Sequence, residues 1–323
     1  MRTPSGKLVT TAVLSVLALT LAASCSSPGT SGPASPGQKA NVVVGAVPAE
    51  TGAAMYIAQE HGIFAEHGLH VTIRAIQSTS DILPEMAKGS IDIASGQLPS
   101  FIMAEVGGTG SFRLLASGLT LSPGVNEILA MKWSGITDPA QLKHKTIAEN
   151  APIGDSPLLV DSVLASYGMK PNQVTVKILG FPEMGAALAA HQVDAAYCVE
   201  PYCTDIQQKY GAEVIADTDQ GAAQGLLTSG YTVTAKWLTN NKKTAAEFAA
   251  SIAEGATLAD TNPADLQRAL AASLHLSPQV ADVMATGTFP TTVDPVKISQ
   301  VADLMLTFGE IKRPFDVSRL LGS

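Results

Sequence analysis

The chain has 323 residues, 46% hydrophobic and 15% charged, enough for about two domains with sizeable cores and incompatible with wholesale disorder. A formal net charge of -8 leaves no basic stripe to neutralise phosphates, which excludes nucleic acid as a partner. Three cysteines are too few for a disulfide scaffold or a cysteine-rich zinc module.

At the amino terminus, Arg2 and Lys7 precede an apolar run from Leu8 to Ala23, interrupted by Thr10, Thr11, Ser15 and Thr20. The run is shorter than the ~20 residues of a membrane span, and its basic start and small-residue end read as a secretory signal over residues 1–24. Leu21-Ala22-Ala23-Ser24-Cys25 resembles a bacterial lipobox, with leucine four rather than three residues before the cysteine. That resemblance implies Cys25 as a lipidated mature N-terminus. Residues 25–40 are rich in Ser, Pro, Gly, Thr and Ala and read as a flexible tether to the membrane surface.

Val42 to Val47 is fit for a buried strand, and Pro48 to Gly52 turns the chain. Ala53 to His61 has helical spacing and Gly62 stops it. Val71 to Ile76 is a second strand; a helix capped by Thr79 or Ser80 runs to Lys88 and ends at Gly89. Ile91 to Ala94 is a third strand, a helix starts near Pro99, and Arg113 to Ala116 is a fourth strand. Such alternation predicts parallel βαβ units.

The same grammar restarts after Ser122-Pro123-Gly124. Asp138-Pro139 opens a short helix, Thr146 to Ala148 is a strand, and Ser156-Pro157 starts a helix to Tyr167 that Gly168 closes. Val174 to Leu179, Pro182 to Ala190 and Val193 to Tyr197 read as strand, helix and strand. Gly89 to Ala94 and His191 to Ala196 are similar segments, each with Asp two residues after the second loop position, which points to a duplicated lobe. After a strand from Thr228 to Val233, Lys242 to Leu258, Pro263 to Leu274 and Val293 to Phe308 are helical. The fold class is therefore α/β: two lobes, each a mostly parallel sheet flanked by helices, with a helical tail. A ligand cleft is expected at the carboxyl ends of the strands.

Several motifs, in order, carry a resemblance over nearly the whole mature chain. They are Ala58-Gln59-Glu60-His61-Gly62-Ile63-Phe64, Lys88 to Ala94, Tyr167-Gly168 with Pro171, Val193 to Ala196, Glu200-Pro201, Gly309-Glu310-Ile311 and Phe315-Asp316-Val317. Together they resemble the solute-binding proteins of ABC importers for nitrate, sulfonates, taurine and thiamine precursors. His191 stands where that family usually has Gly. The resemblance implies a two-lobed, type II periplasmic-binding-protein fold, with lobe I over 41–118 and 226–323 and lobe II over 119–225. It also implies a monomer outside the cytoplasm that closes on a small ligand and presents it to a permease and its ATPase, with no cofactor.

Eight loops at the cleft ends of the strands contain no Lys or Arg but do carry Glu50, Asp81, Glu127, Glu149, Asp155, Glu183 and Glu200. An anion such as a sulfonate would ordinarily find a cationic side chain, so the loops favour a neutral or cationic ligand, such as a nitrogen heterocycle. Helix capping is the bland alternative for any one acid. The candidate ligand-binding residues are Glu50, Thr51, Ser78, Thr79, Ser80, Gly96, Gln97, Glu149, Asn150, Phe181, Glu183, Glu200, Tyr202, Thr228 and Ser229, with Glu50, Glu149 and Glu183 the preferred acids. Phe181 and Tyr202 could sandwich a planar ligand.

A thiamine-pyrimidine-synthase-like enzyme on the same fold is the alternative, since related eukaryotic proteins carry a cysteine-rich loop near the corresponding strand. Here that segment holds only Cys198 and Cys203. Across a proline-containing turn these two are expected as separate, partly buried thiols rather than a disulfide. A metal-binding protein is the other alternative, but His61, His67 and His70 straddle a helix end and a turn and read as surface residues.

Overall fold

Short runs of β-branched and small apolar residues build two five-stranded sheets of identical topology in the computed structural model, which describes residues 39–321. The signal segment, Cys25 and most of the expected tether lie outside the described residues. The strands are β1 (Ala40–Ala46), β2 (Leu69–Ala75), β3 (Ile93–Gln97), β4 (Phe112–Ser117), β5 (Asn126–Met131), β6 (Thr146–Glu149), β7 (Thr175–Ile178), β8 (Ala195–Val199), β9 (Ala212–Asp217) and β10 (Ser229–Thr234). Ala40 already pairs with Leu69, so the strand starts inside the expected tether.

The first sheet has the order β2-β1-β3-β10-β4 and the second β7-β6-β8-β5-β9. Each is parallel through its first three strands. The fourth, β10 or β5, runs antiparallel to both neighbours and carries a register shift against the last strand. The duplicated sequence segments now have a physical meaning. Asp92 accepts a hydrogen bond from the Val43 N–H at 2.8 Å, and Asp194 accepts one from the Thr146 N–H at 2.8 Å. An equivalent aspartate thus ties the loop before the third strand to the neighbouring strand in both lobes.

The helices are α1 (Ala53–Glu60), α2 (Ile63–Glu66), α3 (Thr79–Lys88), α4 (Leu98–Val106), α5 (Asp155–Ser166), α6 (Phe181–Ala189) and α7 (Tyr202–Tyr210). They are followed by α8 (Ala235–Asn240), α9 (Lys242–Thr261), α10 (Pro263–Leu274), α11 (Pro278–Ala281), α12 (Pro295–Thr307) and α13 (Ser318–Leu321). The cap of α3 is Ser78, whose hydroxyl accepts from the Asp81 N–H, so Thr79 and Ser80 lie inside the helix. Helix α5 starts at Asp155, one residue before the expected Ser156-Pro157 signal. His191 takes φ 58°, the left-handed turn that a glycine would adopt more cheaply, and α6 still stops there.

Strands β5 and β9 went unrecognised in the sequence. Asn126-Glu127-Ile128-Leu129-Ala130-Met131 is buried along nearly its whole length, so it lacks the alternation that marks a half-buried strand.

The tail closes over lobe I. Helix α9 lies along α1 so tightly that a Cβ on Gly255 would meet the Ala54 carbonyl. Phe248 stacks on Phe64 at 5.4 Å and edges Tyr231 at 5.7 Å. His67 is pinned between Glu247 at 3.0 Å and Glu254 at 2.7 Å on the same helix, and this pairing pushes its pKa up. No helix among the described residues is long and apolar enough to cross a membrane.

The chain crosses between lobes twice, and the two crossings pair with each other. Leu121 N–H donates to Leu226 O at 2.9 Å, and Thr228 N–H to Leu119 O at 3.0 Å. Thr120 also exchanges backbone hydrogen bonds with Thr288 of the tail.

Candidate functional site

Parallel strands deliver their carboxyl ends, and the helices that follow deliver their N-termini, to the seam between the lobes. There the structure holds a narrow inner cavity of ≈ 20 Å³, room for about one water. Val47, Ala49, Thr51, Thr79, Ser95, Gly96, Gln97, Leu119 and Thr228 line it from lobe I and the crossings, and Asn126, Asp155, Phe181 and Val199 from lobe II. Val47 and Phe181 also border an outer mouth of ≈ 350 Å³, walled by Pro48, Ile76 and Gln77 on one side and Pro182, Glu183 and Tyr202 on the other. The Phe181 and Tyr202 rings stack with centroids 5.3 Å apart.

The lobes meet through direct polar contacts around this seam. Tyr202 Oη donates to Pro48 O at 2.9 Å, and the Glu50 N–H donates to Glu200 O at 3.3 Å. Ser100 Oγ reaches Ile153 O at 3.4 Å, and the Asp155 N–H reaches Gln97 Oε1 at 3.4 Å.

Cys198 and Cys203 hold the turn that carries Glu200 and Tyr202. The expectation of two separate thiols is overturned: they form a disulfide, with α-carbons 5.3 Å apart, and both are fully buried. Pro201 sits at φ -87°, ψ 2°, a folded conformation that swings the first turn of α7 back over the end of β8. An extended turn at Pro201 would instead have held the two sulfurs apart.

No Lys or Arg lines the inner cavity or the mouth. Asp155 lines the inner cavity and Glu183 the mouth, and further acids with raised pKa values lie elsewhere in the fold. Asp155 is 4% exposed, its Oδ1 has no hydrogen-bond partner among the described residues, and burial pushes its carboxyl well above the usual range. Burial raises Asp219 to about 8, against hydrogen bonds from Asn126 and Thr218 that pull it down. It raises Glu149 to about 8, with Asp161 and Glu310 adding like charge. Glu127 and Glu310 are each pushed to about 7 and Asp161 to about 6, again mainly by burial.

The structure brings six of the expected residues to the inner cavity: Thr51, Thr79, Gly96, Gln97, Phe181 and Thr228. Glu183 and Tyr202 reach only the mouth, and Glu183 there also accepts from the Gly180 N–H as a helix cap. Glu50 does not line the cavity; it accepts from the Gly287 N–H at 2.7 Å, and its buried Oε2 has no partner among the described residues. Glu200 is saturated by Thr204 and the Ala285 N–H, which makes it a structural joint. Ser229 accepts from the Leu119 N–H within the crossings, and Ser78 is a cap; neither these two nor Ser80 lines the cavity. Glu149 and Asn150 are 2% exposed in lobe II and do not line the cavity, and Asn150 Oδ1 and Nδ2 have no hydrogen-bond partner among the described residues.

Sequence reasoning did not name Ser95 or Asn126, and it counted Asp155 among the loop acids without preferring it as a ligand contact. Asp155 in particular sits in the first turn of a helix, where an acid usually only caps. Asp219 carried no signal at all, since it follows the unrecognised β9.

Residues 51–266 match the family model described as NMT1/THI5 like. Among curated proteins, a 4-amino-5-hydroxymethyl-2-methylpyrimidine phosphate synthase of Saccharomyces cerevisiae is 26% identical over 147 residues, 45% of this chain and 42% of the yeast protein. The chain thus spans less than half the length of that relative. A Brucella abortus protein named a binding protein is 24% identical over 277 residues, covering 80% of this chain and 83% of its own. Among solved structures, the alkanesulfonate-binding protein SsuA of Xanthomonas axonopodis pv. citri, bound to MOPS, superposes with a TM-score of 0.73 at 19% identity, covering 87% of this chain and 97% of its own. At that identity the likeness establishes a shared two-lobed fold.

Proposed function

The chain belongs to the NMT1/THI5-like family, and from that premise we propose that it is an extracytoplasmic solute-binding lipoprotein of an ABC importer, closing its lobes on a small organic solute. The observation that carries this reading is the cavity at the strand carboxyl ends, lined from both lobes and sealed by side chain and backbone contacts across the seam. Lobe I would comprise 41–118 and 226–323 and lobe II 119–225, turning about the paired crossings. Cys25 would carry the lipid and residues 25–40 the tether, with a permease and its ATPase as partners. The likeness to SsuA and the name of the Brucella relative support the same reading. The solute is held without any Lys or Arg side chain, which favours a neutral or cationic ligand over a sulfonate or nitrate.

The test is a thermal-shift panel of sulfonates, nitrate, pyrimidines, flavins and polyamines on residues 39–321, followed by small-angle scattering with each hit. A receptor shows a ligand that raises the melting temperature and shrinks the radius of gyration. If no solute in the panel does either, the receptor reading is wrong. Cys25→Ser should release the full-length protein from membranes; unchanged partitioning would remove the anchor.

The yeast match keeps a pyrimidine-synthase-like enzyme as the second reading. Against it, the two cysteines of the 198–203 segment are buried and bonded to each other, leaving no thiol there for chemistry.

A further inference from the structure

Helix N-termini offer free N–H groups and a positive dipole end, so a cleft ringed by them is a ready anion site. This cleft has such a ring and cancels it. The first turns of α3, α5, α6 and α7 carry Asp81, Asp155, Glu183 and Asp205, and Glu50 opens the turn before α1. At α5, whose first residue lines the inner cavity, the Asp155 N–H is already met by Gln97 Oε1 from the other lobe. An incoming anion would have to displace that amide oxygen and lie beside a buried carboxylate. Gly154, at φ 141°, lies so close to Gln97 that even a Cβ would collide with it, so the amide and the helix end are built to meet.

Asp155 itself is the unusual group. It is buried, it lines the cavity, and its Oδ1 has no partner among the described residues. An isolated carboxylate in such a place is costly unless something donates to it. The lining offers no Lys or Arg for the purpose. Outside it, the mouth is larger and apolar, with Val47, Ile76 and Pro182 beside the stacked Phe181 and Tyr202 rings.

We propose that the cleft takes a small organic cation, a protonated amine or amidinium on a flat apolar body, whose charged nitrogen donates to Asp155 in the inner cavity while its body lies in the mouth along Phe181. This rests on the receptor reading above and names its ligand class. Burial holds the Asp155 carboxyl high, and the charge of a neighbouring cation would offset that effect by favouring the ionised form.

The experiment is calorimetric titration of residues 39–321, wild type and Asp155→Asn, with benzamidine and tyramine as cationic probes and methanesulfonate and nitrate as anionic ones. The expected result is that a cationic probe binds the wild type and the anions do not. Asp155→Asn should then weaken the cation roughly ten- to a hundredfold, the loss of one charged hydrogen bond. The same variant should raise the melting temperature of the ligand-free protein, because it removes a buried carboxylate with no partner. A purely structural Asp155 would show the opposite: affinity kept and stability lost. Should Asp155→Asn be recovered unfolded, the charge preference of the wild type decides alone. Anions binding where cations fail, neither class binding, or equal cation affinity in the variant each overturns the inference. The receptor reading fails separately, only if the wider panel produces no closure.

Discussion

Five buried or half-buried acids titrate above their usual range, mainly because burial strips them of water: Glu149 and Asp219 near 8, Glu127 and Glu310 near 7, and Asp161 near 6. A group whose folded pKa is raised contributes stability that is complete below its unfolded pKa and lost as pH rises through the folded value. All five act in the same direction, and so does His67, raised by its two glutamates. Glu85, held down near 2 by Lys88, Ser90 and Arg74, acts oppositely, but its effect fades only as pH falls below about 4.5. The ligand-free protein is therefore expected to be most stable near pH 5 and to lose several degrees of melting temperature by pH 8. A flat or rising melting temperature between those values would refute the upward shift of these acids by burial. Which acids are buried was only partly legible beforehand. The sequence shows that the loops are acidic and lack cations; it does not show that Glu50 turns to Gly287 or that Glu183 folds back on its own helix. Those outcomes depend on side-chain direction, which loop composition does not encode.

Two elements set the geometry around these residues. The Cys198–Cys203 disulfide fixes the turn whose Tyr202 and Glu200 touch lobe I. Replacing both cysteines by Ala should cost about 2 kcal/mol on the loop-entropy account, and should also weaken ligand affinity because the turn loses its register. Denaturant unfolding with and without reductant checks the first effect, and a free-thiol count of zero in the unfolded, unreduced chain checks the bond. Helix α9 lies so close to α1 at Gly255 that Gly255→Ala must push the two apart. The expected loss is about 1–3 kcal/mol by overpacking, read as a lower unfolding midpoint at unchanged slope. The elements themselves were largely readable. Helix α10 spans Pro263–Leu274 as its spacing predicts, and Gly62 and Gly89 take the left-handed stops expected of them. The failures have one cause. β5 is buried along nearly its whole length and β9 exposes two adjacent residues, Glu213 and Val214, so neither shows a period of two, and the antiparallel member of each sheet could not be inferred from helices alternating with strands.

At the scale of the molecule, the two sheets have the same strand order but different origins. The second sheet draws all its strands from a continuous stretch, β5 through β9, whereas the first takes β1 to β4 from one part of the chain and β10 from another. Residues 119–225 expressed alone should therefore fold cooperatively, while residues 41–118 alone should not. Circular dichroism and a cooperative thermal transition distinguish the two, and a folded 41–118 fragment would contradict the topology. The likeness of the two lobes was foreshadowed by the repeated Gly89–Ala94 and His191–Ala196 segments, because the shared aspartate does the same work in each. The slot between β3 and β4 has a further consequence in time rather than space. A chain made from its amino end presents β3 and β4 with unpaired edges until residues 229–234 have been synthesised, while the other sheet can finish in the interval. Open strand edges of this kind invite mispairing with other chains. The nascent protein thus carries an unfinished sheet throughout the synthesis of the second lobe, and its yield in a cell should depend on how well holding chaperones shield that gap until the last strand arrives to fill it.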